Sequence, residues 1–210
     1  MRVTAILGTI LALSACGTES NNAQSFLQIL APGQPSGPSE RFAAMTGSTA
    51  PLLQVGIEEA GTATYALLEV SRDGVDSFIT PDDVALILER GMLRGTRGLA
   101  EAMLASDISA SLQAVLSVQP GEVTRFHTFL DGENNAVTRS YVCKIAVAGP
   151  RNIAIGSVSI DTELMTEECR NAEQNFTNVY WVQTAPPRIV QSRQWAGDFN
   201  GMLVMRDVDR

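Results

Sequence analysis

The chain has 210 residues and a formal net charge of −8, with 23 acidic residues against 15 Lys and Arg. A chain this acidic, whose only lysine is Lys144 and which has no basic cluster, does not fit binding to nucleic acid or to a bare anionic membrane surface. Its length suits one folded domain with a substantial core.

The N-terminus predicts export and attachment of lipid. Arg2 precedes an apolar stretch, residues 3–13, that has the length of a signal-peptide core and is too short to span a bilayer as a helix. Leu13-Ser14-Ala15-Cys16 is similar to the lipobox of bacterial lipoproteins, in which the thiol is acylated and the chain is cut before it. We therefore expect a signal peptide over residues 1–15 and a membrane anchor of lipid on Cys16. An ordinary signal peptide with a chance cysteine is the alternative.

The next segment predicts a link between the lipid and a folded domain. Residue 17 is Gly rather than Asp, which favours the outer membrane over the inner one. Residues 16–41 are small and polar and then rich in Pro and Gly, so they predict a lipidated flexible tether. We assign residues 42–210 to a single β-rich periplasmic domain.

Most of that domain predicts short strands separated by turns. The predicted strands are 52–58, 64–71, 75–79, 84–89, 92–96, 123–130, 136–148, 151–160, 176–183, 189–195 and 202–208. A helix that begins at Pro81 is an alternative to the strand that follows it. Apolar spacing over residues 108–116, after a possible cap at Asp107, predicts a helix. The pattern indicates a mainly β, antiparallel architecture, and curling or closing the sheet would cover its edges.

The cysteines predict a disulfide. If Cys16 carries lipid, Cys143 and Cys169 remain, and an even number in an oxidising compartment indicates a bridge. Two free thiols or a metal pair are the alternatives. A metal would need more ligands, and the lone histidine, His127, is the only imidazole available. We expect no metal and no cofactor.

The search for catalytic residues points away from an enzyme. The sequence has no nucleophile elbow, no zinc-protease helix motif, no P-loop and no dinucleotide fingerprint. His127 lies in an alternating stretch that puts it on the same face as Phe129 and indicates a structural role. The acidic pairs Glu58-Glu59, Asp82-Asp83 and Glu167-Glu168 could serve a glycosidase, but they are more typical of solvated turns and edges.

Two segments have a less common composition. Arg97, between Thr96 and Gly98, predicts a structural arginine whose guanidinium ties loops together at a sheet corner. Tyr180, Trp181 and Trp195 predict either a packed core or an aromatic platform for sugar rings or a lipid chain.

These two segments carry a family resemblance. The first is Gly91-Met92-Leu93-Arg94-Gly95-Thr96-Arg97-Gly98-Leu99, and the second runs from Tyr180-Trp181-Val182 to Ser192-Arg193-Gln194-Trp195. Together they resemble the YjbF/GfcB-type lipoproteins, the group 4 capsule polysaccharide lipoprotein family, over residues 52–208. The Cys143 and Cys169 pair is similar to that of some members. The chain departs from the family at Ala100-Glu101 and at Ala185-Pro186-Pro187, which affects local loop shape.

The resemblance implies a large, curled, open barrel-like antiparallel sheet with a few short helices. It also implies a non-enzymatic outer-membrane lipoprotein of capsule or exopolysaccharide production or export, with export components or the polymer as partners. Binding of lipid or glycan on the concave face of the sheet is the alternative function. No catalytic residues follow from the resemblance.

Overall fold

The computed structural model describes residues 37–131 and 133–208, so the predicted signal peptide, Cys16 and most of the predicted tether lie outside the described residues. The described part contains two short helices, α1 (Glu40–Ala43) and α2 (Ser109–Leu116). Neither has the length and apolar character to cross a membrane. The strands are β1 (Leu52–Ile57), β2 (Thr62–Arg72), β3 (Val75–Ile79), β4 (Ala85–Glu89), β5 (Met92–Arg97), β6 (Met103–Asp107), β7 (Gly121–Leu130), β8 (Ala136–Ile155), β9 (Val158–Arg170), β10 (Asn175–Thr184), β11 (Pro187–Trp195) and β12 (Met202–Asp207).

All twelve described strands belong to one antiparallel sheet in the order β5-β4-β3-β2-β1-β12-β11-β10-β9-β8-β7-β6. The first and last strands pair with each other, because β1 lies beside β12. The outer strands β5 and β6 are joined by the short connection 98–102, and the Met103 backbone N–H donates to the Thr96 hydroxyl over 3.0 Å. The sheet is therefore nearly closed into a barrel, which confirms the predicted fold class.

Strand direction divides the connections between two ends of the sheet. Consecutive strands alternate in direction, so the connections that follow odd-numbered strands all lie at one end, which we call the open end. The connections that follow even-numbered strands lie at the other, which we call the helix end because α2 lies between β6 and β7. Helix α2 packs its apolar face on residues of the sheet interior, among them Ile145, Met165 and Val182.

The alternation of side chains explains how the strands fill the interior. In β7, Arg125, His127 and Phe129 are buried, whereas the intervening Phe126 is 42% exposed. This agrees with the predicted faces of His127 and Phe129 and follows from the two-residue period of a strand. Helix α1 covers the outer face instead, where Phe42 packs with Leu67, Ile79 and Ala85.

Three details of the chain differ from the sequence prediction. The predicted strand 151–160 is two strands, because the chain turns at Gly156, whose φ is 58°. No helix begins at Pro81, where the chain turns and Asp83 has a φ of 66°. The sequence did not predict β6 or the later part of β9. In both segments buried and exposed positions alternate less clearly in polarity, because polar residues also occupy inward-facing positions.

The two remaining cysteines form a disulfide between neighbouring strands. Cys143 in β8 lies directly opposite Cys169 in β9, the sulfur atoms are 2.04 Å apart, and both residues are buried. The bond closes a loop with a sequence separation of 26 residues. It therefore restricts the unfolded chain in addition to holding β8 to β9.

Replacing both Cys143 and Cys169 by Ala is expected to lower the free energy of unfolding by about 3.5 kcal/mol. The reason is that the unfolded chain regains the conformational entropy that closing a loop of this length removes. Urea unfolding of the two proteins measures the difference. Equal midpoints would contradict it, and labelling of both thiols in untreated wild-type protein would show that the bond does not form after export.

Asp207 in β12 makes stability depend on pH. Burial raises the pKa of Asp207 to about 6, against the opposing positive charge of Arg188 and with a smaller contribution from the nearby carboxylate of Asp76. The folded state thus binds a proton more tightly than the unfolded chain, so folding stability falls as pH rises from about 4 to about 6. Asp207→Asn removes this titration. The stability of the variant relative to wild type is expected to rise across that window by on the order of 2 kcal/mol. Urea midpoints measured at several pH values test this, and a pH-independent difference would contradict it.

Candidate functional site

The three aromatic residues considered for a binding platform do not share a surface. Tyr180 and Trp195 are buried, at 0% and 8% exposure, and they belong to different parts of the interior. Trp181 is half-buried and, as the neighbour of Tyr180 in β10, faces the opposite side of the sheet. The structure therefore does not bring these three side chains together on one face, because strand alternation separates Trp181 from Tyr180.

Trp195 instead belongs to an aromatic cluster inside the sheet, near its open end. Its ring stacks on Phe176 with centroids 4.4 Å apart and planes 8° apart. His127 is fully buried and stacks near the same two rings, at 5.8 Å and 5.7 Å. Burial, together with the positive charge of Arg125, holds the pKa of His127 well below its usual value. An enclosed, neutral imidazole of this kind fits the structural role that the sequence predicts.

A buried ion pair lies deeper in the interior. Glu167 in β9 accepts hydrogen bonds from the Arg125 guanidinium over 2.6 Å and from the Tyr180 hydroxyl over 2.7 Å. Asn178 donates to the same carboxylate over 2.9 Å, and the Ser111 hydroxyl of α2 donates to its other oxygen. Glu167 is 0% exposed and Arg125 is 2% exposed.

The titration of this cluster follows from its geometry. Burial alone would raise the pKa of Glu167, but Arg125 and the three other donors outweigh it and lower the pKa. Burial and the carboxylate of Glu167 raise the pKa of Tyr180 well above its usual value, so its hydroxyl stays protonated and donates. The cluster is thus a fully formed ion pair that holds β7, β9, β10 and α2 together.

The structure places Arg97 and the Glu167-Glu168 pair differently from the sequence prediction. Arg97 is exposed at the end of β5, whereas the sequence predicted a structural guanidinium that ties loops together at a sheet corner. The arginine in that structural role is Arg125, which the sequence did not single out because its partner lies 42 residues away. Glu167-Glu168 was expected to be a solvated pair, but only Glu168 is exposed.

The same region was considered for a metal. Ligand atoms of Cys143, Glu167 and Cys169 lie within 4.8 Å of one another. Because both sulfur atoms are bonded to each other, neither can act as a thiolate ligand. Glu167 is also already hydrogen-bonded to four groups. These residues therefore do not form a metal site in the oxidised protein.

The open end of the sheet carries an apolar cleft of about 340 Å³. Inward-facing side chains of β1, β4 and β12 line its floor, including Val55, Leu86 and Leu203. Leu99, from the connection between β5 and β6, closes one side, and Asp82 stands at the rim. The cleft is within the lower range of volumes that hold small ligands or single side chains of a partner.

The 196–201 connection at the same end presents an aromatic ring to solvent. Phe199 is 83% exposed, far more than any other large apolar residue identified in residues 37–131 and 133–208. The loop beneath it is buried and tightly bonded, because Asn200 donates to the carbonyls of Glu101 and Ala196. The φ of Gly197 is 115°, and a Cβ there would lie 2.3 Å from a Glu101 carboxylate oxygen. The tightly bonded 196–201 connection therefore keeps the Phe199 ring exposed to solvent.

Polar side chains surround that loop. Arg139 lies between the carboxylates of Glu101 and Asp198, 3.7 Å and 3.6 Å away, and also over the ring of Phe129. The amide of Gln174 donates to Asp198 and accepts a hydrogen bond of 2.6 Å from the Tyr141 hydroxyl. Burial raises the pKa of Tyr141 to about 12, although Arg139 opposes the shift. This network joins the aromatic cluster to the surface of the open end.

Comparison with known proteins places this structure in a family. The family model described as group 4 capsule polysaccharide lipoprotein gfcB, YjbF, matches residues 39–206. The chain belongs to this family. The match covers every described strand but the last residue of β12, so it confirms the resemblance seen in the sequence.

A solved structure has the same fold. The chain is similar to the hypothetical lipoprotein YmcC from Escherichia coli K12, with a TM-score of 0.69 and 18% identity. The similarity covers 92% of this chain and 98% of that one. No curated protein sequence matches the chain.

The residues that carry the family resemblance meet inside the sheet. The side-chain amide of Gln194 in β11 accepts from the Leu93 backbone N–H and donates to the Gly91 carbonyl, each over 2.9 Å. Gly91 has a φ of 91°, and a Cβ there would lie 2.8 Å from Ile189. These residues hold β5 against β11 across the interior, so their role in this chain is structural.

The buried pair generates a stability prediction. Glu167→Gln leaves Arg125 buried without a counter-charge and is expected to cost about 3 to 5 kcal/mol of unfolding free energy, as is Arg125→Met. Because both changes break the same pair, the double variant is expected to lose less than the sum of the two. Urea unfolding measures the cycle.

Glu168→Gln is the control. Glu168 is next to Glu167 in the chain but its carboxylate is exposed, so this change is expected to cost less than about 0.5 kcal/mol of unfolding free energy. Additive losses in the double variant would contradict the ion pair. Because the pKa of Glu167 is lowered on folding, its contribution is present at neutral pH and is lost as pH falls through that lowered pKa.

Proposed function

We propose that this protein is a lipid-anchored accessory component of capsule or exopolysaccharide production or export. It acts at the periplasmic face of the outer membrane and carries out no chemistry of its own. The match to the group 4 capsule polysaccharide lipoprotein family across the whole described sheet is the observation that carries the proposal. Membership of a family of capsule polysaccharide lipoproteins supports a location in the cell envelope, and the lipobox at Cys16 supports the anchor.

The interior of the sheet supports an accessory role. His127 is enclosed by aromatic rings, and Glu167 already accepts hydrogen bonds from four groups. A general acid or base must reach its substrate, and these two groups are withdrawn from solvent. The interior therefore stabilises the fold, and contacts with other molecules must use the outer surface or the ends of the sheet.

Binding of a lipid or glycan is a second candidate, favoured by the apolar cleft at the open end. Packed side chains fill much of the concave face, and this cleft is an accessible part of it. Leu86→Trp is expected to fill the cleft. If binding were the function, that variant would lose surface polysaccharide although it folds and reaches the membrane.

Deleting the gene is expected to reduce the amount or the length of cell-surface polysaccharide, and the wild-type gene is expected to restore it. Cys16→Ala should leave the protein without lipid and fail to restore the polymer, because a cytosolic or periplasmic pool lacks the anchor. Quantification of surface polymer and membrane fractionation are the measurements. An unchanged polymer in the deletion strain would count against the function, and normal fractionation of the Cys16 variant against the anchor.

A further inference from the structure

The open end of the sheet is strongly acidic. Its six connections are 58–61, 80–84, 98–102, 131–135, 171–174 and 196–201, and none contains Lys or Arg. Eight acidic residues in these connections are exposed, namely Glu58, Glu59, Asp82, Asp83, Asp131, Glu133, Glu173 and Asp198. The connections at the helix end contain a single acidic residue, Asp73, and one Arg, Arg90. The acidic residues of the connections are thus concentrated at one end.

Few of these carboxylates are in ion pairs within the described part of the chain, and the exposed Arg97 and Arg170, which end β5 and β9, leave this end with an excess of acidic side chains. Among the described residues, three of the eight carboxylates form ion pairs. These pairs are Arg193 with Glu58, Arg41 with Asp83 and Arg139 with Asp198. The other five carboxylates make no ion pair in the described part of the chain. A ring of like charges on converging loops projects a negative potential that extends about 8 Å into a solution of physiological salt.

Phe199 stands within this ring. Leu99 lines the apolar cleft, and Glu101, two residues later, accepts the Phe199 backbone N–H over 3.3 Å, so the exposed ring and the cleft share one surface. Exposing most of a phenylalanine side chain forgoes the favourable burial of a large apolar surface. A rigid loop holds it there rather than letting it fold back onto the sheet. Buried aromatic anchors inside polar rims are typical of protein interfaces.

The charge decides which partner this surface fits. A second copy of the chain would bring the same eight carboxylates against the first, and like charges oppose such an interface. An anionic polymer or a phospholipid headgroup surface would be repelled for the same reason. A protein with a basic surface around an apolar pocket would instead be attracted, and its pocket could receive Phe199.

We propose that the open end, with Phe199 as its anchor, is the docking surface for a partner protein that presents an apolar pocket ringed by Lys and Arg. The proposal rests on the proposed function, because such a partner would belong to the same export system. Acidic side chains would guide the encounter, and Phe199 would supply most of the contact energy.

The test uses the full-length, lipidated chain in intact cells. A photoreactive benzoyl-phenylalanine replaces Phe199, and in a control strain it replaces Val158, which is 53% exposed in the β8–β9 hairpin at the helix end. After irradiation, position 199 but not 158 is expected to give an adduct with a protein. Mass spectrometry is expected to map that adduct to a site flanked by Lys and Arg.

The acidic ring is tested by matched charge changes. Glu59→Gln, Asp82→Asn, Glu133→Gln and Glu173→Gln together are expected to reduce the adduct at position 199 by about tenfold. The control carries Asp73→Asn, Asp107→Asn, Glu122→Gln and Asp161→Asn, which are exposed acids away from the open end, and is expected to keep the adduct. Equal thermal midpoints of the two variants exclude unfolding as the cause.

Each other outcome overturns the proposal. An adduct with polysaccharide would make the surface a glycan site, an adduct with this chain would make it a self-contact, and no adduct or an equal one at position 158 would exclude docking there. Surface polysaccharide is measured separately in the deletion strain. A normal polymer there would refute the proposed function, whereas a reduced polymer without a protein adduct at position 199 would refute only this docking surface.

Discussion

The carboxylate of Glu167 is the constraint on which the rest of the structure depends. A buried charge is tolerated only when it is paired and its remaining lone pairs are satisfied. Here the donors come from β7, β10 and α2, so the sheet must curl and the helix must close one end before the charge is compensated. The disulfide between β8 and β9 and the aromatic cluster lie beside it on the same inner face. Curvature, helix position and interior packing are therefore coupled through one side chain.

Because side chains pack the interior of the sheet, binding to other molecules must use the ends or the outer surface of the sheet. Aromatic rings fill much of the region towards the open end and α2 fills the other, so apart from the cleft over Val55, Leu86 and Leu203 a ligand cannot enter without displacing packed side chains. The connections are free of this constraint, and binding residues are commonly found on such loops over a rigid scaffold. The 196–201 connection shows the combination, because buried Asn200 fixes a backbone that presents Phe199 to solvent.

Local patterns in the sequence predicted most of the strands, the faces of β7 and the α2 helix, because each depends on residues close together in the chain. They could not identify which arginine is buried. Arg97 lies between Thr96 and Gly98, Arg125 follows Thr124, and only the pairing of β7, β8 and β9 brings Glu167 to Arg125. Similarly, Tyr180 and Trp181 are equally aromatic in sequence, and the register of β10 decides which one faces inward. The acidic end could be identified only from the antiparallel order of the strands, because that order places alternate connections at the same end of the sheet.

The family resemblance and the candidate surface have different physical origins. Gly91, Leu93 and Gln194 carry the resemblance and hold two strands together across the interior, so they report that the chain has this fold. Phe199 lies only four residues beyond Trp195, yet its side chain contributes nothing to the packing of the core. A change there alters the surface without a large cost in folding, whereas a change at Gln194 breaks two buried hydrogen bonds. Proteins with this sheet can therefore differ in partner through their open-end connections while the interior stays the same.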